Sequence, residues 1–143
     1  MKPEYKELLL RDLCARLSYG VILNVTLIDK YDEKVNRDIA LSDGNISYIF
    51  RNSNWIDYKP YLRPMSSMTD EEKEYIQRCI DIVTDENYGD GYSPSAWDAM
   101  NDFTTYCDSR HLDHRGLIWR ELALEAPEGM YKIESDKNKT SKL

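Results

Sequence analysis

The chain has 143 residues, of which 41% are hydrophobic and 31% are charged, and its formal net charge is −7. This length is typical of one ordinary domain, and the composition is too apolar for a disordered chain and sufficient for a buried core. No apolar run approaches the roughly 18 residues that cross a bilayer, which argues against a membrane span and predicts no membrane partner.

The N-terminus and the cysteines predict a cytoplasmic protein. Residues 1–13 include interleaved acidic side chains and no small-residue cleavage site, unlike a secretory signal peptide. Cys14, Cys79 and Cys107 are far apart, and each lies in a stretch with apolar periodicity. An odd number of cysteines at such spacing predicts small, buried, reduced side chains and no disulfide framework.

The charge is unevenly distributed along the chain. Residues 1–64 carry ten basic and nine acidic side chains, whereas residues 65–143 carry nine basic and 17 acidic ones. An acidic surface repels phosphate, so direct binding of nucleic acid is disfavoured. If the protein binds a partner, we expect another protein with a basic surface.

The first predicted element is a helix over residues 3–17. Pro3 suits the first turn of a helix, and Tyr5, Leu9, Leu13 and Leu17 recur at four-residue steps. This spacing predicts one broad buried face, on which Cys14 also lies, and an end before Gly20.

A change to alternating, β-branched sequence then predicts four short antiparallel strands. The segments are 21–28, 35–41, 46–51 and 55–62. The residues 42–45, Ser-Asp-Gly-Asn, are a strong hairpin signal, and Pro60 places the last strand at an edge because proline cannot donate to a ladder. The strands would form an open sheet covered by a helix, or an SH3-like barrel.

Two or three helices are predicted to follow. Thr69 and Glu72 have the spacing of a capping box, and Glu71 and Glu72 stand at what the pattern indicates is an exposed helix start. That helix runs to about residue 84, a loop covers 85–95, a second helix follows, and a short last helix covers 114–122. The inward positions on the first two helices are Tyr75, Ile76, Cys79, Ile80, Val83, Trp97, Met100, Phe103, Thr104 and Cys107. The chain therefore reads as one α+β domain over residues 1–131, with a disordered polar tail over 132–143.

One candidate metal or catalytic cluster combines Cys107, His111 and His114, the last two being the only histidines. Cysteine and histidine ligate zinc, and a cysteine four residues before a histidine can pair with it on a helix. No further motif supplies a fourth ligand. The alternative interpretation is a buried Cys107 and two histidines in a turn between helices.

Aromatic residues form the candidate protein-binding set. Trp55, Tyr58 and Tyr61 lie on or beside the last predicted strand, and Tyr88 and Tyr92 lie in the acidic loop. Tyrosine and tryptophan are enriched in protein interfaces, although they also cover small cores. The same loop fails the spacing of a calcium-binding EF-hand, because Asp90 and Ala96 occupy the places of the required glycine and glutamate.

Three stretches resemble a family of small proteins from gut Bacteroidetes and their phages and mobile elements. They are LLLRDLCARLSYGV (8–21), KPYLRPMSSMTDEE (59–72) and HLDHRGLIWRELALEAPEGMY (111–131), about a third of the chain. The family carries no known activity, so the resemblance implies an origin linked to phages and no catalytic residues. The chain departs from the family pattern at Ser18, where proline is expected, and at His114, where an aromatic residue is expected.

The sequence favours a non-enzymatic accessory or adaptor protein, with no cofactor, that uses the aromatic residues and the acidic half to bind another protein. Two alternatives from other classes stay open. One is an acidic mimic of nucleic acid that inhibits a DNA-binding protein, and the other is a zinc-dependent hydrolase built on His111 and His114.

Overall fold

The computed structural model describes residues 2–51, 54–84 and 94–132, and it confirms an α+β fold. The helices are α1 (Pro3–Arg16), α2 (Ser47–Phe50), α3 (Asp70–Thr84) and α4 (Pro94–Ser109). The strands are β1 (Ile22–Ile28), β2 (Lys34–Ala40), β3 (Trp55–Leu62) and β4 (Leu124–Glu125). No helix within the described ranges has the length and apolar character to cross a membrane.

Helix α1 covers one face of the sheet. Pro3 stands in its first turn, and Leu9 and Leu13 are fully buried against the alternating inward residues of β1. The helix passes into a short 3₁₀ turn that ends at Gly20, whose φ of 71° is the left-handed conformation glycine adopts without strain. The prediction that Cys14 is buried is wrong. Its side chain is exposed, because it lies beside and not on the buried stripe.

The sheet has the strand order β2-β1-β3-β4 and is mixed. Strand β1 is antiparallel to β2 and β3, as predicted, but β4 runs parallel to β3. The described strands form an open sheet and not an SH3-like barrel. The prediction that residues 55–62 form an edge strand is also wrong. The parallel ladder with β4 contains only Tyr61 and Leu62, so Pro60 lies just outside it and its missing N–H group is tolerated.

The strand predicted over residues 46–51 is instead a turn followed by the short helix α2. Asn45 explains the difference, because its side chain accepts a hydrogen bond from Ser42 N (2.8 Å) and donates one to Ala40 O (2.9 Å). These bonds close a turn at the end of β2 where the second strand of a hairpin would begin.

The helix predicted over residues 114–122 is a series of turns leading into β4. The Asp113 carboxylate accepts hydrogen bonds from Leu117 N (2.8 Å) and Ile118 N (2.9 Å), which replaces a regular helical ladder. Gly116 and Glu121 have positive φ angles of 73° and 62°, which a continuous right-handed helix does not permit. Leu117 and Leu122 thereby enter the main core beside α1 and the sheet.

Helices α3 and α4 form an antiparallel hairpin. Tyr75 near the start of α3 stacks on Tyr106 near the end of α4, with ring centroids 3.9 Å apart. A second core cluster, which contains Ile76, Cys107 and Leu112, fills this end of the hairpin.

Candidate functional site

The three predicted contact residues on β3 do not share one face of the sheet. Trp55 and Tyr58 both pack against the main core, because the register with β1 shifts between Thr26 and Leu27 and brings both side chains inward. Tyr61 points to the other face, where its hydroxyl donates to Asp38 (2.9 Å). Burial and the neighbouring Asp38 raise the pKa of Tyr61. Tyr88 and Tyr92 lie outside the described residues.

The predicted cluster of Cys107, His111 and His114 is not assembled as a set of metal ligands. Cys107 is buried in α4, where burial raises the pKa of its thiol to about 12. The His111 ring stacks on Tyr131 with centroids 3.7 Å apart, and His114 Nε2 lies 2.9 Å from Asp108. Within the part of the chain that the structure describes, no group of three or more His, Cys, Asp or Glu side chains could hold a metal ion.

Of these three residues, His114 belongs to a buried ion-pair network that joins α1, α4 and the segment after α4, through its contact with Asp108. Arg16 is fully buried and donates from Nε to Asp12 (2.8 Å) and from Nη2 to Leu112 O (2.7 Å). Arg115 bridges the two carboxylates, since its Nη1 lies 2.7 Å from Asp12 and 2.8 Å from Asp108. The network therefore fixes the two helices to each other through paired charges.

A second group of buried charges surrounds Glu72 at the start of α3. Glu72 and Thr69 form the predicted capping box, with Thr69 N donating to Glu72 (2.8 Å) and Glu72 N donating to Thr69 Oγ1 (3.2 Å). The same carboxylate accepts two hydrogen bonds from Arg63 (2.7 and 2.8 Å), and Arg110 Nε lies 2.9 Å from it. The expectation that Glu72 stands on an exposed helix start is thus wrong, because its side chain is fully buried.

Asp108 and His111, which lie around the buried Arg16, have pKa values well below neutral pH. Burial alone would raise the pKa of Asp108, but hydrogen bonds from His114 and Arg115 and the charge of Arg16 lower it to about 2. Burial, helped by the charges of Arg16 and Arg63, lowers the pKa of His111 to about 4. General acid–base catalysis is most efficient with a pKa near the working pH, so the pKa values of Asp108 and His111 do not favour either side chain as a general acid or base near neutral pH.

A surface groove lies along the other half of the helical hairpin, which we call the outer hairpin: residues 79–84 of α3 and 94–104 of α4. The cavity measures about 490 Å³. Its lining is mostly apolar and consists of Cys79, Ile80, Val83, Thr84, Trp97, Ala99, Met100, Asn101, Phe103 and Thr104. Trp97, Met100 and Ile80 are 52%, 48% and 43% exposed. The prediction that these three side chains point inward is wrong; on α4 the small residues Ala96 and Ala99 are buried in place of Trp97 and Met100.

The outer hairpin is acidic. Its segments contain Asp81, Asp98 and Asp102 and no lysine or arginine. None of these aspartates lines the groove, and Asp98 and Asp102 line a second depression of the hairpin together with Arg78. Burial and the nearby charge of Asp102 raise the pKa of the Cys79 thiol, and the charge of Arg78 opposes this shift. Sequence periodicity alone missed this groove, because it assigned Trp97 and Met100 of α4 to the core; the small residues Ala96 and Ala99 beside them were the available signal.

Comparison of the chain with family models, curated proteins and solved structures found no significant similarity.

Proposed function

We propose that the protein is a non-enzymatic accessory protein that binds another protein through the outer hairpin. The observation that supports this proposal is the apolar groove of about 490 Å³ flanked by the exposed side chains of Trp97, Met100 and Ile80. Large apolar side chains grouped on a surface mark contact sites, and tryptophan is enriched among the residues that contribute most to binding.

The charge of the chain supports a partner with a basic surface. The net charge is −7, and residues 65–143 carry 17 acidic and nine basic side chains, so the protein attracts a basic partner from a distance. Two copies of the chain would bring two negatively charged molecules together, which disfavours a homodimer. An acidic mimic of nucleic acid explains the charge but gives no role to the exposed Trp97 and Met100.

The test compares Trp97→Ala with Trp119→Ala in binding to a partner. Trp119 is a matched control because it is also exposed, at 71%, and lies outside the groove. The resemblance to proteins of gut Bacteroidetes and their phages suggests the lysate in which to begin. A partner would be captured, identified by mass spectrometry, purified and measured by calorimetry.

We expect Trp97→Ala to weaken the purified complex by tenfold or more and Trp119→Ala to leave it unchanged. Both variants should keep the melting temperature of the parent, because both side chains are exposed. Equal affinities for the parent and Trp97→Ala would contradict the proposed surface. Binding that is lost only when the acidic residues are neutralised would favour the nucleic-acid mimic.

A further inference from the structure

We infer that residues 127–131 form a strap that has a closed and an open state. In the closed state, which the structure shows, the Tyr131 hydroxyl lies between the start of β1 and the end of β3. In the open state the strap leaves the sheet, and Ile22 of β1 bonds directly to Tyr61 of β3. This inference concerns a different part of the molecule from the outer hairpin and does not depend on the proposed function.

The first step concerns the ladder between β1 and β3. Leu23 lies opposite Pro60 and the two strands are antiparallel, so the next pair in this register is Ile22 and Tyr61. In an antiparallel ladder, pairs that exchange main-chain hydrogen bonds alternate with pairs that do not. Pro60 has no N–H group to exchange, which places Ile22 and Tyr61 at a position where the ladder calls for a bonded pair.

The Tyr131 hydroxyl takes the place of this ladder bond. It accepts a hydrogen bond from Ile22 N (2.9 Å) and donates one to Tyr61 O (2.8 Å). Burial raises the pKa of Tyr131 to about 12, so at neutral pH the hydroxyl keeps the proton that it donates. Buried main-chain groups are almost always hydrogen-bonded. When the hydroxyl leaves, the register therefore pairs Ile22 N with Tyr61 O directly, and neither group is left unpaired.

The second step concerns how the strap is attached. Ala126, just before it, donates its N–H group to β3 (2.8 Å), whereas the bond from Met130 N to Pro127 O (3.1 Å) lies within the strap itself. Over the described ranges, every hydrogen bond from the strap to another part of the chain involves the Tyr131 hydroxyl. The first three residues of the strap are exposed. A segment with so few bonds and buried contacts opens locally while the rest of the fold stays intact.

The third step concerns what the strap covers. The Tyr131 ring lies flat on the His111 ring, with centroids 3.7 Å apart and planes at 15°. Tyr131 also lines a cavity of about 400 Å³ together with Arg63, Pro64 and Ser67, so the strap is not packed tightly against the segment after β3. Opening of the strap therefore uncovers the His111 ring and widens this cavity.

The experiment measures how fast diethyl pyrocarbonate, which reacts with accessible neutral imidazole, modifies each histidine of the full chain. The two histidines are a matched pair in the closed state, because His111 is 8% exposed and the side chain of His114 is 7% exposed. His114 contacts Asp108 and not the strap, so it reports on opening of the rest of the fold. Mass spectrometry after digestion gives the rate at each histidine.

The test variant is Tyr131→Phe, which keeps the ring and removes the hydroxyl. The control is Tyr61→Phe, which removes a hydroxyl that bonds to Asp38 and leaves the main-chain oxygen that Tyr131 uses. Hydrogen exchange followed by NMR reports the protection of the Ile22 amide in the parent and in both variants.

We expect Tyr131→Phe to raise the modification rate of His111 by about tenfold, because the strap loses both bonds of the hydroxyl, and to leave the rate of His114 unchanged. Tyr61→Phe should change neither rate. The Ile22 amide should stay protected in Tyr131→Phe, because it then bonds to Tyr61 O. An unchanged rate at His111, or equal increases at both histidines, would overturn the local opening of the strap. Loss of protection at Ile22 would overturn the direct bond and with it the second state.

Discussion

At the scale of single residues, Glu72 combines a helix cap with buried ion pairs. Replacing one partner of a buried ion pair leaves the other charge uncompensated, which costs about 3–5 kcal/mol. We expect Glu72→Gln to lower the free energy of unfolding by roughly this amount, because glutamine can keep the capping bond but loses the charge that pairs with Arg63 and Arg110.

The matched control is Glu74→Ala on the exposed side of α3, which we expect to change the free energy of unfolding by less than about 0.5 kcal/mol. Urea denaturation followed by circular dichroism measures both variants. If Glu72→Gln and Glu74→Ala change the free energy of unfolding equally, the buried ion pairs of Glu72 do not stabilise the fold.

His111 gives the stability a defined dependence on pH. Its pKa is lowered from 6.5 to about 4 in the folded protein, so between these values the unfolded chain binds a proton that the folded chain does not. The contribution of His111 to the free energy of unfolding is therefore full above about pH 6.5 and is lost as the pH falls towards 4, with a slope of up to about 1.4 kcal/mol per pH unit.

We expect His111→Asn to flatten this slope in urea titrations between pH 6.5 and 4. Asparagine tolerates the left-handed backbone at this position, where φ is 62°. Below about pH 4 the variant should still lose stability, because Asp108, with its pKa lowered from 3.8 to about 2, becomes protonated there. An unchanged slope above pH 4 would show that another group controls this range.

At the scale of elements, the two core clusters differ in how completely they enclose their side chains. Leu13 of α1 is fully buried in the main core, whereas Phe103 of α4 is half-buried and lines the surface groove. We expect Leu13→Ala to lower the free energy of unfolding by about 2–5 kcal/mol, as truncation of a buried leucine does, and Phe103→Ala to lower it less. Thermal melts of the two variants check this order, and a larger loss for Phe103→Ala would contradict it.

Local signals predicted some elements and not others. Helices α1 and α3 followed from the spacing of Leu9 and Leu13 and from the capping box at Thr69, because both signals act within a few residues of sequence. The segments 46–51 and 114–122 were assigned wrongly because single side chains, Asn45 and Asp113, bind nearby main-chain groups and redirect the chain. Apolar periodicity carries no information about such bonds.

At the scale of the whole molecule, the buried charges were beyond the reach of sequence patterns. Arg16 donates to Leu112 O across 96 residues of sequence, and Arg115 reaches Asp12 across 103. Charged residues are rarely buried unless paired, and the pairing depends on the tertiary fold. The α+β architecture was predicted because it needs only the order of elements, whereas the groove depends on which face of the hairpin the core leaves uncovered.

The acidic half of the chain leads to a prediction about binding kinetics. Changing Glu71, Glu72 and Glu74 together would disturb the fold, because Glu72 is buried, so the informative variant is Asp81→Asn, Asp98→Asn and Asp102→Asn combined. We expect this variant to slow association with a basic partner and to reduce its salt dependence, while dissociation changes less. Stopped-flow measurements over a range of salt concentrations check this; an association rate that ignores both salt and the substitutions would contradict electrostatic steering.

The way Leu117 and Leu122 complete the core beside α1 has a consequence for synthesis on the ribosome. Leu9 and Leu13 leave the ribosome long before the residues after α4 that cover them. Strand β3 likewise cannot pair with β4, and Arg16 cannot bond to Leu112 O, until those later residues have been synthesised. Chains emerge at about 5–20 residues per second, so the nascent α1 and sheet present an incompletely covered apolar face for seconds. Chaperones that recognise such faces therefore have a window in which to engage the growing chain before its C-terminal segment closes the core.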